Sequence, residues 1–300
     1  MQERSTDARL ERLAVFAVWL VPVLWTVNLV IARKAPALVG PYTLALGRWF
    51  LAALVLLAFS WRELWQQRQV VCRDWWHFMV LGFCGMLVCG AWVYLGAQTT
   101  SAMNVALIYA ASPVLIALGA VRWLHERMRR RQLLGVVLAV TGVVHVVVQG
   151  HWAALAQVQW VAGDAWIVAA MMAWAAYALL QRLWPSPLGD TARLTAICVG
   201  GVVCLLPGAA WEQWLGDAPA LTAQAFGVMA LAALVPGVVA YWVYGWAQKI
   251  LGASRVAVTL YLGPLYAALA AWGVLDEPLG MHHLVGAALI LPGVYWVSRR

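Results

Sequence analysis

Two stretches decide how this sequence folds: Ala102-Met-Asn-Val-Ala-Leu-Ile-Tyr-Ala-Ala-Ser-Pro113 and, 151 residues later, Ala253-Ser-Arg-Val-Ala-Val-Thr-Leu-Tyr-Leu-Gly-Pro264. The same offset continues through a glutamate and two glycines of each half: Glu126/Glu277, Gly135/Gly286 and Gly142/Gly293. Upstream, a slip of one residue pairs aromatic and amide residues: Trp92/Trp242, Tyr94/Tyr244 and Gln98/Gln248. Self-similarity at a fixed long offset indicates a structural repeat. We therefore expect an N-terminal repeat over residues 1–150 and a C-terminal repeat over residues 151–300.

The composition excludes an ordinary soluble domain. Of the 300 residues, 64% are hydrophobic and only 11% are charged, whereas soluble globular domains carry about 25% charged residues. So few charges cannot cover the surface of a chain of this length in water. We expect a membrane protein, with lipid as the solvent over most of its length.

Ten runs along the chain are long and apolar enough to cross a membrane as helices of about 20 residues. Nine contain no Asp, Glu, Lys or Arg: Leu13 to Ala32, Trp75 to Gln98, Ala102 to Val121, Gln132 to Gly150, Ala165 to Gln181, Leu194 to Trp211, Ala223 to Gln248, Val256 to Leu275 and Met281 to Ser298. The tenth, Tyr42 to Trp61, is interrupted only by Arg48. The runs do not alternate as the strands of a barrel do. The sequence predicts an all-α integral membrane protein with ten transmembrane helices, five in each repeat.

The distribution of Lys and Arg predicts the orientation of these helices. With the N-terminus in the cytoplasm, 17 of the 20 basic residues fall in cytoplasmic connections and at the two termini, as the positive-inside rule requires. Both termini are therefore predicted to be cytoplasmic. The basic run Arg129-Arg130-Arg131 is interpreted as a topology anchor beside membrane lipid, and no nucleic-acid partner is expected.

An odd number of helices in each repeat means that the second repeat enters the membrane upside down. In the predicted orientation Glu126 lies in a cytoplasmic loop and Glu277 in an external turn, where each is expected to cap a helix or pair locally. Inverted repeats recur in secondary transporters, whose binding site lies at the repeat interface near the bilayer midplane. Transport of a small-molecule substrate is therefore the leading interpretation.

The residues also support a resemblance to a known family. The first span contains Trp25-Thr-Val-Asn28, and Pro41 and Arg48 lead the second. Each half carries an alanine eleven residues before its proline and a glutamate thirteen residues after it. With ten expected helices, this pattern resembles the drug/metabolite transporter superfamily, EamA type, over nearly the whole chain. The resemblance implies a multi-pass protein of the bacterial inner membrane that exports or exchanges small metabolites such as amino acids. One departure is that the span Leu194 to Trp211 has no clear equivalent of Arg48.

Arg48 is the first candidate for the substrate site, because a charged side chain inside a membrane helix is costly unless it finds a partner or water. It lies about six residues, or about 9 Å, from the external end of its predicted helix. Two interpretations stay open. The guanidinium could bind a substrate carboxylate in a central cavity by a bidentate contact, or it could snorkel to the external interface.

Aromatic and amide side chains on shared helix faces are the other candidate substrate contacts. Their spacing is i, i+3 in the first span and i, i+3, i+7 in the sixth and eighth. The full set beyond Arg48 is Trp25, Asn28, Tyr94, Gln98, Tyr109, Trp174, Tyr177, Gln181, Tyr241, Tyr244, Gln248 and Tyr261. Ring faces and amide ends suit a small amphipathic organic solute. Any single aromatic residue could instead belong to an interfacial belt or to the packed core.

Pro113 and Pro264 are the predicted hinges. Each leaves a carbonyl one turn earlier without its usual donor, so the helix can bend there. The alternative is a static, packed kink.

We predict no enzyme activity, no catalytic residue, no metal site and no cofactor, since no motif for them is visible. His282 and His283 are adjacent rather than four residues apart, so they do not share a helix face for a metal. A channel or facilitator pore is the alternative function. Because no carboxylate lies deep in a helix, proton coupling is either absent or falls to His145. The protein is expected to act as a monomer or homodimer.

Overall fold

The computed structural model describes residues 2–34, 38–214, 219, 221–275 and 278–298. All regular structure in these ranges is helical. The membrane helices in chain order are α1 Gln2–Lys34, α2 Pro41–Gln66, α3 Trp75–Ala97, α4 Ala102–Ala110 with Ser112–Trp123, α5 Arg130–Val147, α6 Ala162–Leu183, α7 Asp190–Trp214, α8 Ala223–Leu251, α9 Ala253–Val258 with Thr259–Leu262 and Gly263–Leu275, and α10 Met281–Ser298. Two short helices, Arg68–Arg73 and Trp152–Gln157, lie in connections.

Within the described residues, nine helices are long and apolar enough to cross a membrane. The remaining predicted span, Val256 to Leu275, corresponds to α9, which is helical but divided into three pieces. The predicted all-α membrane fold is confirmed, whereas the count of ten uninterrupted spans is not. A second difference is that α7 begins at Asp190 and takes Arg193 into its first turn.

Both α4 and α9 are broken next to their proline. The first segment of α4 ends at Ala110, three residues before Pro113, and the 3-10 turn Thr259–Leu262 ends two residues before Pro264. Proline removes a backbone donor and disfavours a helical conformation of the residue before it. The Tyr261 hydroxyl donates to the Ala110 carbonyl at 2.9 Å. Because these two residues are equivalents at the offset of 151, the two broken helices meet at their breaks on the axis that relates the repeats.

The contact between α5 and α10 shows that the repeats are inverted. A Cβ on Gly135 would lie 2.6 Å from the carbonyl oxygen of Gly293, and one on Gly142 would lie 3.0 Å from the carbonyl oxygen of Gly286. Gly135 is the equivalent of Gly286, and Gly142 of Gly293. Each glycine therefore contacts the equivalent of the other, which is the crossed pattern of a two-fold axis. The two helices run antiparallel, so this axis lies across them.

Every helix of the first repeat packs on a helix of the second. The pairs are α1 with α8, α2 with α7, α3 with α6, α4 with α9 and α5 with α10. The predicted capping role of Glu126 is confirmed, since its carboxylate accepts from the backbone N–H of Ala253 at 2.8 Å and of Ser254 at 3.2 Å, at the start of α9. Glu277 lies outside the described residues. The core thus lies at the repeat interface rather than within either repeat.

We predict that Gly293→Ala destabilises the fold. The added Cβ would meet the carbonyl oxygen of Gly135 at 2.6 Å and the amide nitrogen of Ala139 at 2.8 Å, and neither backbone atom can move without displacing α5. Overpacking of this kind costs about 1–3 kcal/mol, which a lower midpoint of thermal unfolding in detergent measures. Gly227→Ala is the matched control, because a Cβ at Gly227 has nothing within 4 Å. Equal loss in both variants would contradict the close α5–α10 contact.

Candidate substrate site

Arg48 lies inside the helix bundle, with 3% of its surface exposed. Its Nη1 donates to Oδ1 of Asn28 on α1 at 3.0 Å and to the hydroxyl of Tyr94 on α3 at 3.4 Å. Its Nη2 donates to the carbonyl of Pro236 on α8 at 3.1 Å. The Arg48 side chain therefore points from α2 into the bundle, where α1, α3 and α8 supply its hydrogen-bond acceptors.

All the acceptors around Arg48 are neutral. Among the described residues, no carboxylate forms an ion pair with it. Its Nε is buried and has no hydrogen-bond partner, and the ring of Trp49 lies 4.6 Å from its Cζ. A buried cation without a counter-charge is costly, and an anionic group that approaches it is strongly favoured. Arg48 is therefore a buried positive charge whose described hydrogen-bond acceptors are all neutral.

Two widened helix turns flank Arg48. The π-helical segments Phe83–Trp92 in α3 and Ala233–Val239 in α8 begin at equivalent positions of the two repeats. One carbonyl in each segment accepts from a side chain: Pro236 from Nε1 of Trp25 at 3.3 Å, and Gly85 from the Tyr241 hydroxyl at 3.0 Å. π-Helical geometry inside α-helices is rare and is frequently found at functional sites.

Six aromatic rings form a continuous cluster beside Arg48: Trp25, Trp49, Trp174, Tyr177, Tyr241 and Tyr244. Trp25 and Trp174 match between the repeats at an offset of 149 and touch edge to face, with 5.2 Å between ring centroids. Trp174 stacks on Tyr177 at 5.4 Å. The cluster therefore lies on the repeat axis. It places apolar ring surface next to the cation.

The structure brings most of the predicted contacts together. Eight meet at the cation or in the ring cluster: Arg48, Trp25, Asn28, Tyr94, Trp174, Tyr177, Tyr241 and Tyr244. Gln181 and Gln248 lie one turn further along α6 and α8 than the rings. Gln98 is exposed near the end of α3, and Tyr109 is half-buried against core side chains. The Tyr261 hydroxyl donates to the Ala110 carbonyl at the break in α4, away from the ring cluster.

Sequence reasoning missed Trp49 and the Pro236 carbonyl. Trp49 is 1% exposed and contacts Tyr241 at 4.8 Å, yet an isolated Trp in an apolar run resembles the many belt residues of such a chain. The proline inside the run Ala223 to Gln248 was the available signal for Pro236, because proline disturbs the helical ladder. Among the described residues no group of three or more His, Cys, Asp or Glu side chains is placed to hold a metal ion.

The model of the EamA-like transporter family matches the chain twice, over residues 12–148 and 161–299. The chain belongs to the EamA-like transporter family. The resemblance to the drug/metabolite transporter superfamily is thereby confirmed. The matches cover one repeat each, which agrees with the crossed glycine contacts of α5 and α10.

Similar proteins of this family carry transporter names. The chain is 25% identical over 268 residues to the uncharacterized transporter YyaM of Bacillus subtilis, covering 89% of this chain and 88% of the relative. It is 28% identical over 225 residues to a probable terminal-alkyne amino-acid exporter of Streptantibioticus cattleyicolor, covering 74% and 73%. A solved crystal structure superposes with a TM-score of 0.71 at 16% identity, covering 93% of this chain and 94% of that one, so its fold is shared. The protein is a multi-pass membrane protein of a transporter family.

We predict that Tyr94→Phe and Tyr244→Phe differ in stability although the two tyrosines are repeat equivalents. The Tyr94 hydroxyl donates to Asn28 Oδ1 at 2.9 Å and accepts from Arg48, whereas the Tyr244 hydroxyl is buried without a partner. Loss of hydrogen bonds that involve a charged group costs about 1.5–3 kcal/mol. Tyr94→Phe should therefore lower the thermal midpoint in detergent and Tyr244→Phe should not. Equal midpoints for the two variants would argue against the hydrogen-bonded network around Arg48.

Proposed function

We propose that the protein is a secondary transporter that exports or exchanges a small amphipathic metabolite with a carboxylate, such as an amino acid, across the bacterial inner membrane. The single observation that carries this proposal is the buried guanidinium of Arg48, which has neutral acceptors and no ion-pair partner among the described residues. Family membership supports transport. The relative named as a probable amino-acid exporter supports an amino acid or a similar solute.

The two ends of such a solute have matching surfaces at the site. A carboxylate would bind the free edge of the guanidinium, because Arg presents donors in a planar fork that fits carboxylate geometry. The aliphatic or aromatic part of the solute would pack on the ring cluster. If the solute also carries an ammonium, the ring faces attract it weakly.

Alternating access is the mechanism that the architecture favours. The breaks at Pro113 and Pro264 lie on the repeat axis, where half of each helix can swing against the other half. With both termini cytoplasmic, as the basic residues predict, the Arg48 end of the site faces the external half of the membrane. The ring cluster fills the axis between the repeats, which favours a carrier over the alternative, an open channel.

Flux through purified protein in proteoliposomes tests this function. L-Leucine is the probe, with two analogues that each lack one polar group: 3-methylbutylamine, without the carboxylate, and 4-methylpentanoate, without the ammonium. We expect saturable L-leucine uptake that internal L-leucine stimulates, and no stimulation by the amine. Flux that rises linearly with concentration and ignores internal solute would instead indicate a channel. Repeating the assay with and without a pH gradient shows whether protons are coupled.

We predict that Arg48→Lys lowers L-leucine transport about tenfold or more. A lysine keeps the charge but loses the planar fork, and loss of about 1.4 kcal/mol of binding free energy corresponds to a tenfold change. Arg73→Lys is the matched control, because Arg73 is exposed and pairs with Asp74 in a connection. Transport by Arg48→Lys at the wild-type rate would rule out bidentate recognition at this residue.

We predict that Pro113→Ala and Pro264→Ala each lower the turnover rate several-fold while the half-saturation concentration changes little, since a restored helix bends less readily at the axis. Counterflow at saturating L-leucine measures the turnover. Pro207→Ala is the control, because α7 continues unbroken through Pro207. Wild-type turnover in both axis variants would show that the breaks are static.

A further inference from the structure

We propose that a second carboxylate subsite lies at the cytoplasmic end of α6, α7 and α8, built from Arg193, Gln181, Gln248 and Tyr244. This inference rests on the proposed function and adds a second station on the path of the same solute. The sequence marked Arg193 only as one of the basic residues that set the topology. Its surroundings in the folded chain assign it a binding role.

Arg193 is a buried cation. It lies in the first turn of α7 with 5% of its surface exposed. Its Nη2 donates to the carbonyls of Gln181 at 2.8 Å and Trp184 at 2.7 Å, at the end of α6. Its Nε is buried and has no partner, as is also true of Nε of Arg48.

Three further side chains, on α6 and α8, have buried polar atoms without a partner. Gln248 is 1% exposed, and neither its Nε2 nor its Oε1 is hydrogen-bonded. The hydroxyl of Tyr244, a residue with 0% exposure, and Nε2 of Gln181 also lack partners. Almost all buried polar groups in proteins are satisfied, so each of these exceptions needs an explanation. A solute that binds during transport would satisfy them.

Arg193 and Gln181 line a cleft whose third wall is α8, the helix that carries Tyr244 and Gln248. On α8, Gln248 is three residues from Gly245 and four from Tyr244, so its side chain neighbours both on the helix surface. A Cβ on Gly245 would lie 3.5 Å from Oε1 of Gln181, and Gln181, Gly245 and Arg193 line the same cleft between α6, α7 and α8. The cleft has about 20 Å³ of free volume, room for about one water molecule. It is therefore closed to a metabolite in this conformation.

The free groups select an anion. Lys249 and Asp190 also line the cleft and form an ion pair with each other at 2.5 Å, whereas Arg193 forms no ion pair with any described residue. Donors dominate among the unpartnered atoms: one guanidinium N–H, the amide nitrogens of two glutamines and one phenol. A carboxylate accepts from such a set, with the charge-assisted bonds that Arg provides.

The repeat relates this subsite to the one at Arg48. Tyr244 and Gln248 are the equivalents of Tyr94, which binds Arg48, and of Gln98, which is exposed. In an inverted repeat the two halves exchange their environments when access changes sides. Twelve residues of α8 separate Pro236 at the first subsite from Gln248, or about 18 Å at 1.5 Å per residue. One amino acid cannot span that distance, so the solute passes from one subsite to the other.

Half-saturation concentrations at each face of the membrane test the second subsite. Everted vesicles present the cytoplasmic face to L-leucine and right-side-out vesicles present the external face, with vesicles that lack the protein as the blank. We expect Gln248→Leu to raise the half-saturation concentration at the cytoplasmic face about tenfold and to leave the external value within about twofold. Because neither end of the Gln248 amide has a partner, its thermal midpoint should not fall.

Gln98→Leu is the matched control, being the same substitution at the equivalent, exposed position, and it should leave the cytoplasmic value unchanged. Gln181→Leu should repeat the effect of Gln248→Leu. An unchanged cytoplasmic value in both glutamine variants, or an equal rise at both faces, would overturn the second subsite while leaving the proposed function intact. Absence of saturable L-leucine transport by the wild type in either vesicle would overturn the proposed function and this inference together.

Discussion

A guanidinium inside a lipid-embedded bundle needs hydrogen-bond acceptors that lipid does not supply, and this requirement at Arg48 organises the centre of the protein. The acceptors come from three other helices, through Asn28, Tyr94 and the carbonyl of Pro236. They meet only if α1, α2 and α3 of the first repeat close on α8 of the second, and only if α8 has a π-helical turn at Pro236. The packing of these helices and the distortion of α8 are therefore both needed to supply acceptors to the buried charge of Arg48.

The inverted repeat supplies symmetry in shape, but the chemistry of the two halves differs. On the axis, equivalents contact each other directly, as Trp25 contacts Trp174 and Tyr261 contacts Ala110. Away from the axis, equivalent positions differ in chemistry. At the offset of 150 that pairs Trp92 with Trp242, the equivalent of Arg48 is Cys198, whose exposure is 0%. The buried arginine of α7 is Arg193, more than one turn earlier in the helix. The two buried cations therefore lie at different depths in the helix bundle.

The agreement between prediction and structure is best where hydropathy and periodicity carry the signal. The predicted span Trp75 to Gln98 differs from α3 by one residue, and both breaks occur beside the prolines that predicted them. The errors arise where a local rule is overridden by contacts. Arg193 looked like the end of a cytoplasmic loop because it is charged, yet two carbonyls at the end of α6 stabilise it inside the helix. The π-helical turns have no marker in the apolar sequence of α3.

Composition, hydropathy and self-similarity are enough to predict that the protein is helical, lies in a membrane and is built from two repeats. Those properties depend on composition and spacing along the chain, because apolar runs of sufficient length partition into lipid and helix geometry fixes the length that a span needs. Which polar residues meet is visible only in the folded protein. Trp25 and Pro236 are 211 residues apart, and Gln98 and Gln248 have the same sequence context but opposite exposure. Such differences are set by packing between helices, because side-chain partners in the membrane come from neighbouring helices rather than from solvent.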